Sequence, residues 1–325
     1  MIIVINSKSS KITFCPGPGA VINDWFTNQN EYFGRGDKEY SNIKRKTLNW
    51  IKRKSGQDIV IPISGSGTTA AIVALNSFLT GKVLIINTGY YAKRWIDYVK
   101  NSKLSIHFDT ISYDEFINKK NFKKKYSWIV FVYVETANCR KYDIKKVSKI
   151  AKKINSKIIL DATASIGLEN NHNLADVIFF SSCKGLLGPT GLGFVAFKNK
   201  VKYKNSKDFW FNLDTHKDSK YTLGYNCIAS LYGVKMNHEL YKRRILYASR
   251  LLKKYSVNKF SIPKIGVPLK FFLKNKIKSN RNLIFYNPRE NPGYEVIFLL
   301  GIIKYNNKNI KEFLNKIIIR NLLIK

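Results

Sequence analysis

A lysine at the end of an apolar run stands out in this chain. In "VIFFSSCKGLLGPTGLGFVAF" (177–197), Lys184 follows a strand-like run and precedes a glycine-rich turn and a second apolar run, "LGFVAF". Most other lysines lie in polar stretches such as "NFKKKY". An amine held at a strand end beside a cleft can form a Schiff base when its surroundings lower its pKa. A lone lysine seldom does, so its company matters. "ILDATASIG" (159–167) ends another apolar run in Asp161, 23 residues before Lys184. A carboxylate there needs a partner: the N–H groups of the next turn, a ligand cation or a metal. "ISGSGTTAAIVAL" (63–75) is a Gly/Ser turn feeding a helix. Free backbone N–H groups of such a turn, with the helix dipole, suit an anion. The turn lacks the lysine of a P-loop and the spacing of a dinucleotide fingerprint, and taken alone it also reads as a plain capped helix. "NTGYYAKRW" (87–95) places two aromatics after a strand, either to stack on a flat ligand or to pair in the core.

The elements that would position these residues alternate through the first two thirds of the chain. The pattern predicts a helix over 68–80, a strand over 82–87, a helix through "YAKRWIDYVKNS", a strand over 104–109 and a short helix in "YDEFINKK". Strand 127–135 follows, then an amphipathic helix over 143–155 with Ile144, Val147, Ile150, Ala151 and Ile154 on one face. Three strands, "KIILD", "DVIFFSS" and "LGFVAF", complete the series. Such alternation predicts an α/β fold with a mostly parallel central sheet and helices on both faces. Ligands of such sheets bind at the carboxyl ends of the strands, where Glu135-Thr136, Asp161 and Ser181 to Lys184 all fall. A long helix over roughly 226–255 changes the pattern, and short strands ("NLIFYN", "YEVIFLLGII") and a terminal helix from about Asn309 follow. The expected organisation is a large domain, 1–225, with an N-terminal arm of about 1–30, and a smaller α+β domain, 226–325.

Order and spacing join the separate motifs. An anion-binding helix start, an aromatic ring, an acid at a strand end and a lysine all fall at one sheet edge. Together they describe a pyridoxal 5'-phosphate site: phosphate cradle, ring stack, pyridinium partner and aldehyde-binding amine. Metal, nucleotide and catalytic-triad readings lack their partners, and no metal site is expected.

Composition bounds the remainder. The 325 residues carry 57 Lys+Arg against 21 Asp+Glu, a formal charge of +36. Nucleic acid or an anionic membrane surface is one account of that excess. Only 11 of the 57 are arginines, and the basic residues are spread along a chain rich in Asn, Ile, Tyr and Phe. A lysine-rich solvated surface is therefore expected, with no nucleic-acid or membrane partner, and its field favours anionic substrates. No run of about 18 uncharged apolar residues predicts a transmembrane helix. The start of the chain does not read as a signal peptide. Cys15, Cys139, Cys183 and Cys227 are widely spaced, which suits a reduced, cytoplasmic setting.

The chain resembles the class V, fold-type I pyridoxal-phosphate aminotransferases, most of all the 2-aminoethylphosphonate:pyruvate and alanine/serine:glyoxylate transaminase group. The resemblance rests on "TFCPGPGAV", "GRGDKEY", "SGSGTTAA", "NTGYYAKRW", "VYVETANC", "LDATASIG" and "SSCKGLLGPTGLGFV", in the family's order across about 12–225. It implies that Lys184 forms the internal aldimine and shuttles a proton, and that Asp161 pairs with the pyridine nitrogen. Tyr91 would stack on the ring, Ser66, Gly67 and Thr68 would hold the phosphate, and Thr136 would lie near the ring hydroxyl. Thr222, in "KYTLGYN", would reach the phosphate of the other subunit's cofactor, which implies a homodimer with shared active sites.

The departures from the family's pattern bear on substrate. Cys183 stands where a polar amide is usual, and "ETANC" replaces "ETTTG". No arginine lies between Arg289 and Arg320, where the family grips a substrate carboxylate near the position of Phe298. The resemblance implies transfer of an amino group between a small amino compound, phosphonate-type or phosphorylated, and a 2-oxo acid. Arg289 and Arg94 are the candidates to hold the acid's carboxylate. A lyase or decarboxylase that skips the second half-reaction is the alternative. A basic, non-catalytic binding protein is the third reading, opposed by the retained Lys184, Asp161 and Tyr91.

Overall fold

The computed structural model describes residues 12–319 apart from 18, 28–32, 35, 219–220, 222, 258–265, 273–282 and 287–294. Helix α1 (Lys38–Ser55) shows how local sequence sets its own limits. The Asp37 side chain accepts from Tyr40 N, Gly56 closes the helix at φ 63°, and Lys52, Arg53 and Lys54 face the negative end of the dipole. Its buried face carries Tyr40, Ile43, Trp50 and Ile51.

Seven strands form the central sheet: β1 (Ile59–Ser64), β2 (Lys82–Asn87), β3 (His107–Ser112), β4 (Trp128–Val132), β5 (Lys157–Asp161), β6 (Val177–Ser181) and β7 (Leu192–Phe197). Their spatial order is β1-β7-β6-β5-β4-β2-β3, and only β7 runs against the rest. Every residue of β4, β6 and β7 is buried. Such unbroken apolar runs belong to strands covered on both faces. Alternate side chains serve two cores: Ile158, Leu160, Ile178 and Phe180 face one way, and Ile159, Val177 and Phe179 the other. Helices α2 (Gly67–Phe78) and α3 (Tyr90–Asn101) cover the second face. On the first lie α1, α4 (Tyr113–Asn118) and α5 (Ile144–Lys153).

A short helix, α6 (Leu213–Lys217), precedes the 29-residue α7 (Tyr225–Lys253), and α8 (Asn307–Ile317) lies near the end of the described chain. The far half of α7 carries Tyr241, Ile245 and Leu252 into a second apolar cluster with Phe271, Phe285 and Leu314. The N-terminal segment joins this cluster through Phe14 and Trp25. Its strand Ile12–Phe14 pairs in parallel with Leu283–Phe285.

Three predicted elements differ in extent. The strand expected over 104–109 occupies His107–Ser112, because β2 starts the register at Lys82↔His107 and Ile106 N bonds Leu104 O (2.9 Å) in a tight turn. The strand expected over 127–135 breaks at Tyr133, and Val134–Glu135 turn aside to pair with Arg140–Lys141. Among the described residues of "YEVIFLLGII", Glu295–Ile297 alone is strand. Leu299–Lys304 is a 3₁₀ helix whose residues through Ile303 are all buried, so no two-residue alternation survives. Among the described residues, no helix is long and apolar enough to cross a membrane.

Candidate active site

Loops at the carboxyl ends of β1, β2, β4, β5 and β6 converge on a cavity of about 190 Å³. Ser66, Gly67, Thr68, Tyr91, Thr136, Asp161 and Lys184 all line it. Seven of the eight residues expected at the site are thus neighbours; the eighth, Thr222, lies outside the described residues, as does Arg289. A larger cavity, about 750 Å³, opens at the opposite edge where β5 begins. Its one carboxylate, Asp176, is engaged by Ile158 N (2.9 Å), and it offers no aromatic face. Chemistry, rather than size, selects the smaller cavity.

Lys184 sits in a loop fixed on every side. Ser182 N bonds Leu192 O (3.0 Å), Gly188 N bonds Ser182 O (2.9 Å) and Leu187 N bonds Lys184 O (2.9 Å). Trp25 Nε1 donates to Leu187 O (2.9 Å), and His238 Nε2 lies 2.9 Å from Gly185 O. Gly185 is required by close approach, since a Cβ there would lie 1.9 Å from Ile166 O. A Cβ on Gly17, at φ +145°, would lie 2.5 Å from Cys183 O and 3.1 Å from Lys184 Cγ. The Lys184 ammonium lies 5.2 Å from the Tyr91 ring centroid and makes no hydrogen bond or ion pair among the described residues. Among the described residues it is the only lysine lining the cavity.

Asp161 is buried and doubly held. Oδ2 accepts from Trp95 Nε1 (3.0 Å) and Oδ1 from Thr163 N (2.9 Å). It both caps its turn and lines the cavity, so the two readings of this residue are compatible. Tyr91 is set by Glu135, whose Oε2 accepts from Tyr91 N (2.9 Å) and Oε1 from Ala137 N (3.3 Å). Burial pushes the Glu135 carboxyl up to about 7 against the pull of these N–H groups, with a smaller push from Asp161. Thr136 follows on the same buried turn.

At the start of α2, Ser66 Oγ accepts from Thr68 N (3.1 Å) and Thr69 N (3.3 Å), while Thr69 Oγ1 accepts from Ser66 N (3.2 Å). This is a full capping box as well as one wall of the cavity. Cys183 Sγ lies 3.1 Å from Ser181 Oγ. Arg94 and Trp95 reach the cavity from α3. Glu135, noted at a strand end but given no role, and Trp95 are site-forming residues that motif reasoning did not assign. Glu135 carries the signal that singled out Asp161, an acid ending an apolar strand. Trp95 lies in the quoted "NTGYYAKRW", four residues past Tyr91 and hence one helical turn on.

Facing Lys184 from the C-terminal side is an apolar wall that includes Val267, Phe298, Leu299 and Leu300. Phe298 is buried with Val134 and Val296 and meets Tyr286 edge-on at 5.4 Å. Among the described residues, no group of His, Cys, Asp and Glu is placed to hold a metal ion. The cavity's groups fit pyridoxal phosphate: an amine without a protein partner, a carboxylate fixed opposite, an aromatic floor and a helix start.

Residues 26–226 match the family model described as aminotransferase class-V. A bifunctional phosphonoacetaldehyde hydrolase/aminoethylphosphonate transaminase of Clostridioides difficile is 26% identical over 221 residues, covering 62% of this chain and 34% of that protein. A 2-aminoethylphosphonate–pyruvate transaminase of Vibrio cholerae is 26% identical over 210 residues, covering 59% of this chain and 56% of that protein. The chain thus matches about a third to just over half of these relatives' lengths. Among solved structures, a subgroup IV aspartate aminotransferase from Thermus thermophilus superposes with a TM-score of 0.78 at 17% identity, covering 95% of this chain and 100% of that one. An alanine–glyoxylate aminotransferase from Nostoc gives 0.78 at 13% identity, covering 94% of each. The fold is that of the fold-type I aminotransferases.

Proposed function

Because the chain belongs to the class-V aminotransferases, we propose that it is a pyridoxal-phosphate-dependent transaminase working from the cavity around Lys184. It would move an amino group between a small amino compound and a 2-oxo acid. The observation that carries this reading is the meeting of the Lys184 amine, the Asp161 carboxylate and the Tyr91 ring in one cavity. When bound, the cofactor supplies an electron sink that eases removal of a proton from the amino-bearing carbon. Lys184 would hold the cofactor's aldehyde carbon and would be freed when the donor's amine takes its place there. As a free amine it would then move a proton between the amino-bearing carbon and the cofactor as general base and acid. Asp161, pinned by Trp95 and Thr163, would hold a proton at the ring nitrogen. Tyr91 would cover a ring face, and Glu135 fixes the start of α3 on which Tyr91 stands. Ser66, Gly67 and Thr68 would hold the phosphate, and Thr136 would lie near the ring hydroxyl. The phosphonate-type donor is proposed from the named relatives and the basic surface. Also proposed are the homodimer, with Thr222 reaching across it, the division into domains 1–225 and 226–325, and the cytoplasmic setting.

Purified protein incubated with pyridoxal phosphate should acquire a visible absorbance band. Addition of an accepted donor should bleach it, with conversion of the cofactor to its amine form and release of a carbonyl product. Protein that takes up no cofactor would end this reading. The buried apolar surroundings of Phe298 favour one second reading, a lyase or decarboxylase that needs no 2-oxo acid. Donor turnover with no amine-form cofactor from any plausible donor would select it.

A further inference from the structure

We propose that Arg94 binds the phosphate of the cofactor, a role that rests on the function just given. The guanidinium enters the cavity from the first turns of α3. Its Nη2 donates to Thr68 Oγ1 (3.3 Å) at the start of α2. The guanidinium also lies 5.7 Å from the Tyr91 ring centroid and 5.6 Å from that of Trp95, which hold it in place. Tyr91 therefore has a cation at two positions around its ring: Lys184, where a carbonyl carbon must come, and Arg94, at the helix start.

The charges of the cavity point to a dianion. Two cations, Arg94 and Lys184, face it against one lining carboxylate, Asp161, whose two oxygens already accept from Trp95 and Thr163. Glu135 stands behind Tyr91 and bonds backbone N–H groups. Asp97 shares with Arg94 an adjoining outer cavity of about 310 Å³, yet Arg94 makes no ion pair among the described residues. The other groups at the helix start are neutral and mutually engaged. Ser66 Oγ serves Thr68 N and Thr69 N, and Ser181 Oγ pairs with Cys183 Sγ. A helix start presents about half a positive charge, too little for a phosphate of charge near −2. Arg94 supplies a further full charge in a planar, multidentate form suited to phosphate oxygens.

The test compares pyridoxal phosphate with pyridoxal, which lacks the phosphate, in wild type, Arg94→Gln and Arg94→Lys, each checked for folding by circular dichroism. Binding is read from the absorbance band and from quenching of tryptophan fluorescence. Arg94→Gln should weaken pyridoxal phosphate by roughly 10- to 100-fold and leave pyridoxal unchanged, with Arg94→Lys intermediate. Three results overturn the assignment: unchanged affinity for pyridoxal phosphate, equal weakening of both ligands, or a rise confined to the KM of an anionic donor. Wild type that binds neither ligand would overturn the proposed function as well. Wild type that binds pyridoxal phosphate, with Arg94→Gln unaffected, would overturn this inference alone.

Discussion

Lys184 and Glu135 show how burial assigns chemistry to single residues. Lys184→Ala should remain folded by circular dichroism yet lose the visible cofactor band, with turnover falling at least ~100-fold. Glu135→Gln should move stability rather than chemistry first. With its carboxyl raised to about 7 from the ordinary 4.5, folded Glu135 keeps a proton that the unfolded chain has released. That contribution is complete below about pH 4.5 and lost as pH rises to about 7. Replacement by Gln should erase this loss, seen as a changed slope of unfolding free energy against pH in urea titrations. At this scale the sequence was informative wherever an unusual residue ended an apolar run, as Lys184 and Asp161 do. Arg94 is marked there only as a candidate for the 2-oxo acid's carboxylate, with nothing in the sequence pointing to a phosphate. Its value emerges only when α3 sets it beside Thr68.

The loop after β6 behaves as a mount for Lys184, and its tolerances are tight. Gly185→Ala would drive a Cβ into Ile166 O, a backbone atom that cannot swing away. The cost should be about 3 kcal/mol or more, visible as a lowered Tm together with weak cofactor uptake. Helix α2 and the strands β5 to β7 were legible because their apolar runs are long and bounded by Gly, Ser or Asp. The strand at His107–Ser112 and the 3₁₀ turn at Leu299–Lys304 were misjudged in extent for a shared reason. Partners fix their limits, and partners are not written in the local pattern. Placement of Ile12–Phe14 beside Leu283–Phe285 is of the same kind, since nothing near either strand announces the other.

For the whole molecule, buried imidazoles set the response to acid. Burial lowers His172 to about 3 and His238 to about 4 from the ordinary 6.5, and lowers His216 as well. The unfolded chain then binds more protons below about pH 6.5, so these groups lose stability as pH falls from there toward 4. Glu135 acts in the opposite sense with one proton, so net stability should rise with pH between about 4.5 and 6.5. A thermal-unfolding series across that range reads the sign directly. The charge of +36 adds self-repulsion that salt screens, so Tm should also climb as ionic strength increases from ~0.01 to ~0.5 M.

The pairing of Ile12–Phe14 with Leu283–Phe285 also has a bearing on birth from the ribosome. The first strand emerges early, and its partner is made about 270 residues later. At a synthesis rate of ~5–20 residues per second, that is a wait of roughly 15 to 50 seconds with an unpaired edge. His238, which braces the Lys184 loop, also emerges after the region it supports. The nascent chain should therefore complete most of its sheet before it can seat its lysine. During that interval the N-terminal strand offers a free edge that chaperones would be expected to cover.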